Sequence, residues 1–176
     1  YSFEELSCLA EKEQPFRSLV DPDDPAFYMP GNMLEKIQTF CQNTGQPVPE
    51  TPGQFIRTAK ESLAFKYRWV MEKLETIRAG KIQRIHILGG GGQDRQLNQF
   101  TADACGRPVD AGPAEAALMG NFLMQMKADG EIADITQGRE ILARSIEIST
   151  YDPRQTAVWE EHYQYFKTLL RADCES

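Results

Sequence analysis

The chain has 176 residues, 41% of them hydrophobic and 26% charged, with a formal net charge of −7. That length suffices to bury one hydrophobic core without covalent or metal staples. The acidic balance argues against a nucleic-acid groove, which needs clustered Lys and Arg, but leaves room for ligands whose phosphates are held by backbone amides.

In chain order, Phe3, Leu6, Leu9 and Ala10 fall at helical spacing and predict a short helix over 3–13. A breaker-rich stretch from Asp21-Pro22-Asp23-Asp24-Pro25 to Pro30-Gly31 reads as a surface loop, its acids too irregularly spaced for a calcium site. A helix is expected over 32–43, closed by Gly45. Thr51-Pro52-Gly53-Gln54 then combines an N-cap Thr, a Pro at the first helical position and a Gln three residues on. It opens a long helix with Ile56, Ala59, Leu63, Tyr67, Val70, Leu74 and Ile77 in one stripe, expected to face the core. Arg57, Lys60, Glu61, Lys66, Arg68, Glu72 and Lys73 lie off that stripe as the expected solvated face, and Gly80 ends the helix.

Ile82–Leu88 reads as a buried strand, followed by four glycines and a helix from about Gln93 to Gly106. Arg107–Asp110 reads as a short strand, 114–128 and 136–145 as helices, and Ile146–Ser149 as another strand. Pro153–Arg171 is an aromatic amphipathic helix. Two or three short strands are too few for a self-contained sheet, so further strands are expected upstream. The start at Tyr1, without Met and already in a helical pattern, points the same way, to a piece of a longer polypeptide.

No apolar run reaches the ~18 residues that span a bilayer, and the N-terminus carries acids where a signal peptide carries bases. Cys8, Cys41, Cys105 and Cys174 form no CxxC pair, and only His86 and His162 could supplement them. A structural zinc site is therefore not expected, and scattered thiols fit a reducing, cytoplasmic setting.

The chemistry concentrates at Gly89–Gly92. A strand ending in glycines and feeding a helix places bare backbone at the carboxyl edge of a sheet, where a flat base or a phosphate can approach closely. Each glycine costs about 0.5–1 kcal/mol of chain entropy relative to Ala, and a structural turn needs only one or two. The run therefore predicts a nucleotide contact. It is not a Walker loop, since no Lys-Ser/Thr pair follows. Nor does it fit a dinucleotide fingerprint, although Asp110 lies about 20 residues on. The sixth position, which must be Gly or Ala, is Asp94 or Arg95.

Ile85-His86-Ile87-Leu88-Gly89-Gly90-Gly91-Gly92-Gln93, Leu97-Asn98-Gln99 and Ala102-Asp103-Ala104-Cys105-Gly106 resemble the carboxy-terminal half of the FGGY carbohydrate kinases. Asp21–Asp24, Thr44–Glu50, Glu61–Ala64 and Ala111-Gly112-Pro113 with Glu115-Ala116 carry the resemblance to the branch acting on L-rhamnulose. It implies an α/β fold, part of an actin-like ATPase with ribonuclease-H-like domains, helix-rich here because upstream strands are missing. It further implies a kinase that uses ATP and Mg²⁺, releases ADP and phosphorylates the 1-hydroxyl of L-rhamnulose. Residues 1–176 would form one carboxy-terminal domain fragment: a helical region over 1–80, an adenosine-binding βαβα region over 81–150, and a terminal helix over 151–176. Gly89, Gly90, Gly91, Gln93 and Asp94 would contact the adenosine. The catalytic base, the metal site, the phosphate loops and most sugar contacts would lie upstream, with no catalytic residue in this chain. No nucleic-acid or membrane partner is implied, and an exposed sheet edge would favour self-association.

The remaining candidates have structural readings. His86 is expected at a strand core or edge, Cys105 as a packed thiol, and Gly112 and Gly120 as close-packing positions. The aromatic tail is expected in the core or a subunit contact.

Overall fold

The computed structural model describes residues 1–146 and 148–170. Ser2 opens helix α1 (Phe3–Glu11) with a full capping box: its hydroxyl accepts from the Glu5 N–H, and the Glu5 carboxylate accepts from the Ser2 N–H. Asn32 caps α2 (Met33–Asn43) by accepting from the Leu34 N–H. Gly45, just beyond, takes the left-handed conformation with φ 67°.

The third helix, α3, runs 27 residues from Pro52 to Arg78. Thr51 caps it by accepting from the Gln54 N–H at 3.2 Å. The Gln54 side chain accepts from Glu50 rather than Thr51, so the return half of the box is displaced by one residue. At the other end Ala79 itself adopts φ 50°, ahead of the predicted Gly80.

The face of α3 that is buried is not the predicted one. Tyr67, Val70 and Leu74 are 40–46% exposed and Ile77 is 80% exposed. The buried side chains include Phe55, Thr58, Lys60, Glu61, Ser62, Phe65, Lys66 and Glu75. Hydropathy treats every charge as seeking water, but a charge with a fixed partner can be enclosed. Here Arg57 pairs with Glu61, Lys60 with Asp94, Lys66 with Asp21 and Asp23, and Arg68 with Glu72 and Glu160. Glu75 meets Lys81 and Arg107.

The Lys66 pairs also revise the acidic loop. Ser18–Asp21 is buried, Asp21 being 4% exposed, and Asp24 caps a 3-10 turn over Pro25–Phe27. The stretch is thus partly an interior segment tied to α3.

The sheet has three strands in the order β1-β2-β3: Ile85–Ile87, Val109–Ala111 and Ser149–Tyr151. Helix α4 (Arg95–Cys105), closed by Gly106 at φ 59°, connects the parallel pair β1 and β2. β3 is antiparallel to β2. Val109 and Ala111 are buried, whereas Asp110 pairs in register with His86 and Thr150. β1 is shorter than predicted and half-exposed, because it forms the sheet edge. β2 and β3 begin later than expected, and residue 147, within the predicted third strand, lies outside the described residues.

Helices α5 (Ala116–Ala128) and α6 (Ile135–Ser145) form a hairpin, and α7 (Thr156–Leu169) returns to the core. Its predicted end at Arg171 and the thiol of Cys174 lie outside the described residues. The main core joins Leu19, Ala64, Phe65, Ala104, Trp159, Tyr163 and Phe166. Phe65 is its hub, with Trp159, Tyr163 and Phe166 ring centroids at 4.9, 5.8 and 5.3 Å. The aromatic tail is therefore core. A smaller cluster unites Val20, Ile37, Cys41 and Phe55. The chain is α/β, rich in helix with a small sheet, and none of its described helices is long and apolar enough to cross a membrane.

Candidate functional site

At the end of β1 the chain turns through Gly89, forms a 3-10 turn over Gly90–Gln93, and enters α4 through Asp94. Backbone bonds fix this path. The Gly89 N–H donates to the Pro113 carbonyl at 3.1 Å, and the Gly112 N–H donates to the Ile87 carbonyl at 2.9 Å. Within the turn the Gly92 N–H donates to Gly89 and the Asp94 N–H to Gly91. The buried Asn98 side chain donates to the Gly92 carbonyl at 2.8 Å.

The four glycines are not equivalent. Gly89 has φ 81° and ψ −162°, a region essentially confined to glycine that costs an L side chain about 1–3 kcal/mol. Gly92 is buried, and a Cβ there would sit 3.0 Å from the Gly112 carbonyl oxygen and 3.2 Å from that of Ile87. Both neighbours are backbone and would have to give by a few tenths of an ångström, so a side chain here is crowded where glycine fits. At Gly90 a Cβ would meet nothing within 4 Å, and at Gly91 only an Ile87 methyl at 3.9 Å. Both are exposed and carry no positive φ. Backbone conformation explains Gly89 and packing explains Gly92, which leaves two glycines bare at the carboxyl end of the strand.

Gln93 is exposed beside them. Asp94 is engaged within the protein: its Oδ1 accepts from the Leu97 N–H at 3.0 Å, capping α4, and from Lys60 Nζ at 3.0 Å. Its Oδ2 lies 2.8 Å from the same ammonium. Lys60, 8% exposed, also donates to Ser7 Oγ of α1 at 2.8 Å. Sequence reasoning missed Lys60 because it placed this residue on the solvated face of α3. Asn98 Oδ1 and Gln96 Oε1 are buried without a hydrogen-bond partner.

Asp110 serves the other face of the sheet. It accepts from Arg84 at 2.7 Å and from Thr150 at 2.8 Å, with His86 Nδ1 3.7 Å away. Those contacts give it no ribose-binding geometry, and His86 stands at an exposed edge. An open, largely apolar slot of about 180 Å³ lies beside it, lined by Leu88, Pro113, Leu142 and Ile148 among others. A Cβ on Gly112 would fall 2.5 Å from Leu88 Cδ2, so this glycine does permit close packing. Gly120 does not: nothing lies within 4 Å of its Cβ position.

The two buried thiols, Cys41 and Cys105, are unsuited to nucleophilic work. Burial pushes Cys105 up to about 12 and Cys41 up to about 11. Burial also lifts the Glu61 carboxyl to about 7, against the opposing pull of Arg57, and Glu61 accepts the Phe16 N–H at 2.8 Å. Among the described residues no three His, Cys, Asp or Glu side chains cluster as a metal site.

The chain is 44% identical to a rhamnulokinase of Bacteroides thetaiotaomicron over 97% of its length, covering 35% of that protein. It is 42% identical to a rhamnulokinase of Enterococcus faecalis over 94% of its length and 34% of that protein. For a rhamnulokinase of Bacillus subtilis the values are 40%, 98% and 36%. The chain thus spans about a third of the length of the curated relatives it matches. The crystal structure of a xylulose kinase from Rhodospirillum rubrum shares the fold, with a TM-score of 0.61 at 20% identity over 94% of this chain and 33% of that one. The family model for the C-terminal domain of the FGGY carbohydrate kinases matches residues 1–128, and the chain belongs to that family.

Proposed function

We propose that the chain is the ATP-binding, carboxy-terminal part of a kinase that transfers the ATP γ-phosphoryl group to the 1-hydroxyl of L-rhamnulose. The observation that carries this reading is the pair Gly90 and Gly91, which neither backbone conformation nor packing requires to be glycine. Bare, exposed backbone at the carboxyl end of a strand suits the flat face of an adenosine. In this reading Gly89, Gly90 and Gly91 lie against adenine and ribose, with Gln93 and Asp94 nearby. The adenosine-binding region is 81–150, between the helical region 1–80 and the terminal helix 151–176, all within one half of an actin-like ATPase fold. Mg²⁺, the catalytic base and most of the sugar site belong to the part of the longer polypeptide not represented here. The metal would neutralise the transferring phosphates, and no residue of this chain has a catalytic role.

The choice of L-rhamnulose over another ketose or polyol, such as fuculose or xylulose, is supported by the 39–44% identity to rhamnulokinases. A non-catalytic module of the same fold is the contrasting reading. Calorimetric titration with ATP and adenosine separates them. Binding is expected, weakened at least about tenfold by Gly90→Trp with the unfolding midpoint unchanged. Absence of adenine-nucleotide binding, or indifference to the tryptophan, would refute the assignment.

A further inference from the structure

A carboxylate at the entrance to α4 is a poor neighbour for a polyphosphate. Asp94 is also the helix cap, so it cannot simply be dispensed with. Its two oxygens lie 3.0 and 2.8 Å from Lys60 Nζ, and that ammonium is held by Ser7 of α1. The lysine stem is enclosed between α1, α3 and α4, so the charge is delivered from a buried, fixed direction rather than by a mobile surface chain. Oδ1 serves the Leu97 N–H and Lys60 together, which fixes the carboxylate plane and the start of α4 directly after the glycine turn.

We propose that Lys60 is a positioning residue for the glycine turn: it cancels the charge of the Asp94 cap and holds it in place, so that an anionic nucleotide can be accepted there. This rests on the adenosine-binding reading above. The pair allows the turn to have a strong cap without presenting a net negative charge to the phosphates. Ser7 extends the same hold to α1, and the exposed Arg95 next to Asp94 faces solvent outside it.

The test compares a neutral with a charged ligand. Titration of wild type, Lys60→Met, Lys60→Arg and the Lys60→Met/Asp94→Asn double variant would use adenosine and ATP as probes. Lys60→Met is expected to weaken ATP about three- to tenfold and adenosine less than about twofold, the difference shrinking as salt rises. Lys60→Arg and the double variant, in which Asn still caps the helix, are expected to restore the wild-type ratio. Equal loss of both ligands would reveal a merely structural role and overturn the inference, as would no change in either.

A second measurement needs no ligand. Amide hydrogen exchange at Gly92–Leu97 is expected to accelerate in Lys60→Met and recover in Lys60→Arg; unchanged exchange in Lys60→Met overturns the positioning role. If wild type binds neither probe, the adenosine reading fails, while the exchange result still decides whether Lys60 holds the turn.

Discussion

Two regions of similar apolar content meet opposite fates. In the α3–α4–α7 core, Phe65, Trp159, Tyr163 and Phe166 are at most 2% exposed. In the α5–α6 hairpin, the sequence Ala116–Ala128 is apolar almost all round, yet Leu123 is its one buried residue, with Leu118, Phe122 and Met124 54–65% exposed. α3 contains both situations in one helix, a buried face of paired charges and an exposed apolar stripe. What separates the regions is available partners rather than hydrophobicity. The aromatic core closes within this chain. The hairpin, the α3 stripe and the β1 edge are surfaces of the kind that mark contact with further protein.

The contrast can be broken most severely at its centre. Phe65→Ala is expected to cost about 3–5 kcal/mol, read as a fall in the urea midpoint, because it removes the ring on which Phe16, Trp159, Tyr163 and Phe166 pack.

Next in size is the pH dependence of the buried charges. Glu61, 1% exposed, titrates near 7 rather than 4.5, chiefly through burial. The folded chain therefore keeps this proton to higher pH than the unfolded chain. The resulting stability is complete below about pH 4.5 and is lost as pH rises through about 7, amounting to about 3 kcal/mol. Unfolding midpoints measured from pH 5 to 8, roughly spanning that window, should fall, and Glu61→Gln should flatten the slope.

Smaller effects sharpen the comparison. Gly92→Ala is expected to cost about 1–3 kcal/mol through overpacking against backbone, whereas Gly90→Ala should stay within about 0.5 kcal/mol. Smallest of all, Phe122→Ser in the hairpin should change the stability of this chain by less than about 0.5 kcal/mol, as expected for an exposed site. A large loss there would show that the hairpin is packed after all.

Local signals were legible in the sequence. The Thr51 cap, the Gly106 terminus and the aromatic tail rest on neighbours a few residues away, and each appears where its chemistry puts it. The glycine run, with Gln93 and Asp94, was likewise found at the mouth of β1. The burial of α3 was not legible, because it depends on pairs far apart in sequence. Lys66 meets Asp21 across 45 residues, and Lys60 meets Asp94 across 34. A period of 3.6 identifies two faces but cannot say which charges will find partners. The difference among the four glycines was hidden for the same reason, since Gly112, just past the end of β2, sets the constraint on Gly92.

That difference has an evolutionary consequence. Gly89 and Gly92 answer to folding, so lineages that keep the fold are expected to retain them. On the adenosine-binding reading proposed above, Gly90 and Gly91 answer instead to the ligand that rests on them. In a descendant freed from nucleotide use, substitutions would accumulate first at 90 and 91, leaving a worn motif with its outer pair intact. A variant library sorted once for abundance and once for nucleotide capture would reproduce that history in a single experiment.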